Sequence, residues 1–334
     1  MRIIPVLALI LMGLVAAAIP GAQAQNRATT EDSAPNPATT LPYRIDYNGW
    51  FTVEVYVNDQ GPYDFIIDTG ATQSLVFQSL ADELGFSRTG GPDQTVLGLA
   101  AAGAFPPFLV GELTVGGVSL EKLVTVILPD WEVERRPRGV LGLDFLRQYV
   151  SVFDAENGVL KLYHAGNPPA RFRRWRRVRM KADNFGLEAN YLYTMEGRIN
   201  SRRVRFLLDL GASGTLVNRT AVASIIKSGL AVTVRPAGAG ERVRVTDALE
   251  RSTNARAITV QRFQLGRTYW YRRRFGIHDA PIFSELGVQN KPFGLFGADL
   301  VHEYSFALDF EREFFWLGPR SKNPEALRTD AAER

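Results

Sequence analysis

Two short loops contain the residues of this sequence whose types and spacing are suited to acid–base chemistry. Residues 68–72 read Asp-Thr-Gly-Ala-Thr and residues 209–213 read Asp-Leu-Gly-Ala-Ser, and an apolar strand-like run precedes each loop. A carboxylate just beyond a buried strand can accept or donate a proton, and the glycine lets the backbone bend and approach closely. A single Asp-x-Gly turn is usually only a turn with an Asx-type cap. Two such turns at equivalent positions indicate a pair of carboxylates that act together.

The elements that must position these loops occur twice, in the same order. An alternating strand and a polar turn precede Asp68, and the same sequence of elements precedes Asp209. Later in each half, residues 139–149 match residues 294–304, and a closing strand follows. Short helical patterns at residues 78–84 and 221–226 follow the two loops. Pseudo-two-fold packing of two such lobes would bring the aspartate loops face to face across a cleft.

Composition excludes several other kinds of protein. The 334 residues are 46% hydrophobic and 22% charged, which is typical of a globular chain with room for two domains. The formal charge of +4 is too small to imply a nucleic-acid partner, and we expect none. The chain has no cysteine, so disulfides, thiolate metal sites and a cysteine nucleophile are excluded. Its three histidines form no His-x-x-x-His pair, so we expect no metal and no other cofactor.

The N-terminus has the pattern of a secretory signal peptide. A charged start, an apolar run over residues 3–19 and a small-x-small site predict cleavage after Ala24. The protein would then be periplasmic or secreted, and the absence of cysteine fits a bacterial periplasm. The alternative is an uncleaved segment that anchors the chain in the membrane. Residues 25–47 lack an apolar period and are interpreted as a flexible leader.

With these motifs, residues 48–318 resemble the bacterial retropepsin-like aspartyl proteases in their two-lobed, single-chain (pepsin-like) form. The first aspartate loop matches fully, the second departs at Leu210, and Val-Leu-Gly142 and Leu-Phe-Gly297 match the family's buttress strands. The resemblance implies an all-β fold of two homologous lobes. Each lobe would be a six-stranded β-barrel of the acid-protease kind with short helices, and a cleft would separate the lobes.

The resemblance also implies the mechanism and the site. Asp68 and Asp209 would share one proton and activate a water molecule that hydrolyses a peptide bond. Thr69 would hydrogen-bond across to the opposite loop, which Leu210 is unable to do, so a degenerated second site in an inactive peptide-binding or regulatory protein is the alternative. The site residues implied are the catalytic Asp68 and Asp209, the supporting residues Thr69, Gly70, Ala71, Thr72, Leu210, Gly211, Ala212 and Ser213, the buttress glycines Gly142 and Gly297, and the flap candidates Leu97, Gly98 and Gly103.

The domain interpretation follows from the repeat and from one charged segment. We expect an N-terminal lobe over 48–170, an arginine-rich linker over 171–182, a C-terminal lobe over 183–319 and a polar tail over 320–334. The run from Arg171 to Arg179 is favoured as a solvated linker, with weak contact to an anionic membrane surface as the alternative. Residues 236–240 are a second, weaker lid candidate. The expected partner is a protein or peptide substrate, and the expected state is a monomer.

Overall fold

The computed structural model describes residues 11–13, 36–97, 102–131, 136–166, 169, 175–186, 191–226, 243–246 and 252–328. Strands dominate both halves. The strands of the first half are β1 (Leu11–Gly13), β2 (Thr39–Pro42), β3 (Arg44–Ile45), β4 (Phe51–Val57), β5 (Gln60–Ile67), β6 (Leu75–Phe77), β7 (Ser87–Arg88), β8 (Gln94–Leu97), β9 (Ala102–Phe105), β10 (Pro107–Val115), β11 (Val118–Leu128), β12 (Gly139–Leu141), β13 (Tyr149–Asp154) and β14 (Val159–His164). Those of the second half are β15 (Arg176–Asp183), β16 (Leu192–Ile199), β17 (Arg202–Leu208), β18 (Leu216–Val217), β19 (Val243–Thr246), β20 (Ser252–Leu265), β21 (Thr268–Ile277), β22 (Phe293–Phe296), β23 (Tyr304–Asp309) and β24 (Phe314–Arg320).

The helices are few and short. They are α1 (Gln78–Leu84), α2 (Leu143–Leu146), α3 (Arg219–Ile226) and α4 (Pro281–Glu285), with 3-10 turns at Ala298–Leu300 and Pro324–Leu327. Helices α1 and α3 lie where the sequence predicts helical pieces after the aspartate loops. Within the described ranges, no helix is long and apolar enough to cross a bilayer.

Each half forms a closed barrel of six strands. In the N-terminal barrel the order is β4-β5-β12-β6-β11-β10, and pairing of β10 with β4 closes it. In the C-terminal barrel the order is β16-β17-β22-β18-β21-β20, and pairing of β20 with β16 closes it. The alternation of β4, with Phe51, Val53 and Val55 inside and Glu54 outside, shows how period-2 patterning fills a barrel interior. The predicted fold class, two acid-protease lobes built from the duplicated sequence, is confirmed.

A third sheet joins the two halves. Its order is β15-β24-β23-β13-β14-β2, so it takes strands from both predicted lobes. At its centre β13 pairs with β23, and Phe153 stacks on Phe306 with ring centroids 4.3 Å apart. Phe51 of the N-terminal barrel also contacts Phe306, at 5.5 Å between ring centroids. The halves therefore share a continuous aromatic core.

Three predicted boundary segments differ from expectation. Part of the predicted flexible leader, residues 39–45, forms β2 and β3, because Leu41, Tyr43 and Ile45 alternate with exposed residues and are buried. Part of the predicted linker, residues 176–182, belongs to strand β15, where Val178 and Met180 point inward between exposed arginines. Residues 320–328 of the predicted polar tail belong to the folded structure, since Leu327 is buried and residue 328 bridges to Ile45.

Candidate active site

The same backbone arrangement positions the two aspartates. Strand β5 ends at Ile67, and the Asp68 N–H donates to Leu141 O of the adjacent parallel strand β12 at 3.0 Å. Strand β17 ends at Leu208, and the Asp209 N–H donates to Phe296 O of the adjacent parallel strand β22 at 3.1 Å. Each carboxylate thus leaves the end of a central barrel strand, and a neighbouring strand from the same lobe fixes its direction.

The two carboxyl groups meet between the lobes. The Gly70 N–H donates to Asp68 Oδ1 at 2.7 Å, and the Gly211 N–H of the opposite loop donates to the same oxygen at 3.2 Å. The Ala212 N–H donates to Asp209 Oδ1 at 2.9 Å, and the two carboxyl groups are close enough that each affects the ionisation of the other. A β-carbon at Gly211 would lie 2.2 Å from Asp68 Cγ, so only glycine permits this approach.

Burial and proximity raise the pKa of both acids. Both side chains are almost fully buried, and desolvation raises the pKa of Asp68 to about 6 although the N–H donors of Gly70 and Gly211 oppose it. Desolvation, followed by the negative charge of Asp68, raises the pKa of Asp209 well above 3.8. Two carboxylates at this range cannot both ionise easily. Burial and mutual repulsion therefore oppose ionisation of both carboxyl groups at once, and the two groups titrate as a unit.

Thr69 connects the two loops through both of its hydrogen-bonding functions. Its hydroxyl donates to Leu208 O at 2.9 Å and accepts from the Leu210 N–H at 3.0 Å. The sequence predicts this cross-lobe contact. Leu210 has no hydroxyl with which to return it, and its side chain is instead completely buried in the hydrophobic core. Thr69 in the first loop therefore contributes hydrogen bonds to the junction, whereas the equivalent residue of the second loop, Leu210, contributes packing.

The remaining loop residues are all buried beside the dyad. Ala71 O accepts from the Leu143 N–H at 2.8 Å, and Ala212 O accepts from the Ala298 N–H at 2.8 Å, which ties each loop to the segment after its buttress strand. Neither alanine carries a hydroxyl to donate to an aspartate. Thr72 and Ser213 follow them, and the Ser213 hydroxyl is buried with no hydrogen-bond partner among the described residues.

Gly142 and Gly297 lie against the backbone of the aspartate loops. A β-carbon at Gly142 would be 2.5 Å from the carbonyl carbon of Gln73. A β-carbon at Gly297 would be 2.6 Å from the carbonyl carbon of Gly214. Both distances are far below any normal contact, so the glycines allow the buttress strands to support the loops directly. These two residues stand where the sequence resemblance predicts them.

The sequence analysis missed two buried carboxylates that complete this support. Ser74 donates from its hydroxyl to Asp144 Oδ1 at 2.6 Å, and the same hydroxyl accepts from the Gly142 N–H at 3.0 Å. In the other lobe Thr215 donates to Asp299 Oδ1 at 2.7 Å and accepts from the Gly297 N–H at 3.2 Å. Burial raises the pKa of both acids, that of Asp299 to about 6. The signal was present, because Asp144 and Asp299 each stand two residues after a buttress glycine.

A loop assigned to the flexible leader and its boundary also reaches the site. Gly49 lies against Ser213, and its carbonyl oxygen is 2.8 Å from Nε2 of His302, which donates to it. Burial lowers the pKa of His302 to about 4, so the imidazole is neutral and donates from Nε2. Asp46 caps this loop by accepting from the Trp50 N–H at 2.8 Å. No local pattern predicts this contact, since its partners are far apart in sequence.

The flap candidates lie only partly within the described residues. Strands β8 and β9 form an antiparallel hairpin in which Val96 faces Gly103 and Leu97 faces Ala102. The backbone of β1 pairs with the outer edge of β8. Gly98 and residues 236–240 lie outside the described residues. Within those residues, no group of three or more His, Asp or Glu side chains is placed to hold a metal.

One comparison with known proteins bears on this architecture. Residues 53–145, which carry the first aspartate loop and its buttress strand, match a family model described as aspartyl protease. This match confirms the resemblance to retropepsin-like aspartyl proteases over the segment, which supplies most of the N-terminal barrel of the two-lobed fold. No curated protein matches the chain.

Proposed function

We propose that this protein is an exported aspartic endopeptidase whose catalytic residues are Asp68 and Asp209. The observation that supports the proposal is the meeting of two buried carboxyl groups from opposite lobes, where the Gly211 N–H of the second loop donates to Asp68 Oδ1 of the first. This arrangement supplies an acid and a base at neighbouring atoms, as peptide hydrolysis requires. The expected substrate is an extended protein or peptide segment in the cleft, and the expected state of the enzyme is monomeric.

The asymmetry of the dyad assigns the two roles. Asp68 accepts hydrogen bonds from Gly70 and from Gly211, which favour its ionised form, so it is the base. It removes a proton from a water molecule, whose oxygen attacks the carbonyl carbon of the scissile peptide. The proton on Asp209 is donated to the carbonyl oxygen and gives a tetrahedral diol. Collapse of the diol breaks the C–N bond as Asp68 gives its proton to the leaving amine and one diol hydroxyl returns a proton to Asp209, which restores the dyad.

An inactive peptide-binding or regulatory protein is the second candidate, and Leu210 favours it. The missing hydroxyl means that Thr69 has no counterpart in the second loop to make the same pair of cross-loop hydrogen bonds. A displacement of the reacting groups by about 1 Å can cost roughly a hundredfold in rate. Against this candidate, Leu210 is fully packed and both aspartates keep their backbone donors. A packed leucine holds a loop in place as a hydrogen bond does.

The test is cleavage of an unstructured protein in water enriched in oxygen-18. The enzyme should introduce one heavy oxygen into each new carboxyl terminus, detected by mass spectrometry, and pepstatin should inhibit it. Asp68→Asn and Asp209→Asn should each abolish cleavage while the protein stays folded. Asp93→Asn, at an exposed aspartate of the same lobe, serves as the control and should cleave normally. Wild-type protein that binds pepstatin but releases no peptide would support the inactive candidate instead.

A further inference from the structure

The outer face of the C-terminal barrel carries arginines and tyrosines at paired positions. Arg262 pairs with Tyr271 and Gln264 pairs with Tyr269 across strands β20 and β21, while Arg198 on β16 pairs with Gln264. Directly paired residues project from the same face of a sheet, so these five side chains form one patch, the arginine-tyrosine face. Tyr269 and Tyr271 are 43% and 64% exposed, and their rings stack with centroids 6.4 Å apart.

The hairpin that supplies most of this face is strongly basic. Residues 252–277 contain no Asp or Glu and six arginines, namely Arg256, Arg262, Arg267, Arg272, Arg273 and Arg274. Arg273 pairs with Glu303 at 3.6 Å. Arg267, Arg272 and Arg274 are exposed and form no ion pair with any described residue. Their charges are therefore open to an external anion.

The duplicated lobe provides an internal control for the structural needs of this hairpin. The β10–β11 hairpin of the N-terminal barrel also has a two-residue turn that starts with a left-handed glycine, and its Lys122 adopts the left-handed backbone conformation that Arg272 adopts in β21. Counted from the turn, Ser119 and Glu121 occupy the positions of Tyr269 and Tyr271, and Glu112 occupies that of Arg262. The N-terminal hairpin thus builds the same element with acids and no arginine.

The barrel therefore does not require the arginines and exposed tyrosines of the C-terminal hairpin. The exposed tyrosine pair leaves apolar ring surface in water, and the unpaired guanidinium groups contribute nothing to the barrel core. Both kinds of side chain are therefore available for contact with something outside the chain.

A second basic element borders the face. The turn between β20 and β21 lies beside β15, because a β-carbon at Gly266 would be 3.0 Å from a methyl group of Val178. Strand β15 exposes Arg176, Arg177 and Arg179, and the Arg177 guanidinium lies 4.6 Å from the ring centroid of Phe314. This part of the molecule again combines arginine with aromatic rings, so the basic region extends beyond the hairpin.

We infer that the arginine-tyrosine face binds the surface of an anionic lipid bilayer. Guanidinium groups bind phosphate oxygens through paired hydrogen bonds, and tyrosine side chains favour the boundary between hydrocarbon and water. The predicted export pathway brings the chain to such a membrane. The turn end of β21 is roughly 30 Å from its far end at Ile277, near the aspartate loops, so the bound enzyme keeps its dyad away from the lipid.

The test measures sedimentation of the protein with two kinds of vesicle. One contains phosphatidylcholine alone, and the other contains phosphatidylcholine with about 30% phosphatidylglycerol, which makes its surface anionic. The protein is purified after export, and its N-terminus is determined by mass spectrometry. A face-swap variant takes the N-terminal residues at three positions: Arg262→Glu, Tyr269→Ser and Tyr271→Glu. The matched control, Ser119→Ala with Glu121→Ala, alters the equivalent positions of the other barrel.

Wild type and control should prefer anionic vesicles at about 0.1 M salt and lose that preference at about 1 M. Each basic residue at such a surface changes partitioning about fivefold, so the face-swap variant should bind at least tenfold more weakly. Its cleavage of a soluble substrate without vesicles should be unchanged, which separates this inference from the proposed function. Equal vesicle binding by the variant, no anionic preference in wild type, or face-dependent binding to heparin but not to vesicles would each overturn the inference.

Discussion

The Thr69 hydroxyl makes two hydrogen bonds across the aspartate loops, in addition to the bond from the Gly211 N–H to Asp68, so it is a consequential single group beside the dyad. Thr69→Val keeps the shape of the side chain but leaves Leu208 O and the Leu210 N–H without these buried partners. Two lost bonds should cost about 2–4 kcal/mol in the free energy of unfolding, measured in urea. We also expect kcat to fall more than tenfold, because the two aspartates lose hydrogen bonds that fix their relative position.

Thr69→Ser is the matched control for this substitution. Serine retains the hydroxyl, so both hydrogen bonds can form and activity should stay within a fewfold of wild type. If the valine and serine variants behave alike, packing around Leu210 alone holds the loops, and the Thr69 hydroxyl is dispensable.

The pH profile of hydrolysis should show the raised pKa values of the dyad. Activity requires one ionised and one protonated aspartate, so it rises as pH passes the lower of the two values. Because burial raises the pKa of Asp68 to about 6, the acid limb of kcat/KM should lie near pH 6 rather than near 4. Ala71→Ser adds a hydroxyl next to Asp68 that can donate to the ionised form, which lowers its pKa, so the acid limb should move down. An acid limb below pH 4 in wild type would contradict this prediction.

Asp209 should make the folded protein less stable as pH rises. Its pKa is raised on folding, so between its unfolded and folded values the native state binds more protons than the unfolded state. The free energy of unfolding therefore falls as pH increases through that interval. Asp209→Asn removes this loss and should be more stable than wild type at pH 8, with a smaller difference at pH 4. Urea titrations at both values measure it, and a gain that is larger at pH 4 would refute the assignment.

At this scale the sequence predicted the residues that repeat and missed those that act only through contacts. The two aspartates, their following glycines and the buttress glycines all lie in recognisable repeated motifs. Asp144 and Asp299 repeat as well, but their role depends on the hydroxyls of Ser74 and Thr215, which only folding brings to them. The contact between Gly49 and His302 joins residues that are far apart in the sequence, so no local sequence pattern predicts it.

At the scale of elements, the parallel strand β12 is the part of the N-terminal lobe that fixes the aspartate loop. Gly142→Ala places a methyl group about 2.5 Å from the Gln73 carbonyl carbon, so the backbone next to the dyad must move. We expect a loss of about 1–3 kcal/mol in unfolding free energy and more than tenfold in kcat, measured by urea unfolding and peptide cleavage.

Gly90→Ala is the control, since no atom lies within 4 Å of its added β-carbon. It should leave both stability and kcat unchanged. A Gly142→Ala enzyme with normal kcat would show that the loop tolerates displacement of its buttress.

Strand patterns with clear alternation were predictable, whereas segments interpreted by composition were not. The leader was assigned from its content of Ala, Thr, Pro, Asn and Ser, yet Leu41, Tyr43 and Ile45 have a period of two and enter the sheet. Residues 171–182 were interpreted as a linker because of their high arginine content, although residues 176–182 belong to strand β15. The arginines of β15 occupy its exposed face, and only Val178 and Met180 show that the other face is buried.

At the scale of the molecule, the shared sheet makes the two lobes one folding unit. Its central pair of strands comes from different halves, and the Ala155 N–H donates to the Ser305 hydroxyl across them at 3.0 Å. Strand β2 from the N-terminal region lies at one edge, and β15 from the start of the second half pairs on its other side with β16 of the C-terminal barrel. Neither predicted lobe, 48–170 or 183–319, therefore contains by itself all the strands that pack on its hydrophobic core.

We therefore expect a single unfolding transition, although two-domain chains of this length often show two. Phe306 is completely buried and contacts Phe51, Phe153 and Phe315 from three different parts of the chain. Phe306→Ala should lower the free energy of unfolding by about 3–5 kcal/mol and shift the one transition as a whole. Calorimetry should give equal calorimetric and van't Hoff enthalpies for wild type and variant, and Tyr56→Ala, on an exposed position, should shift neither. Two separate transitions, with only one moved by Phe306→Ala, would show that the lobes unfold independently and that the shared sheet does not couple the two aspartates.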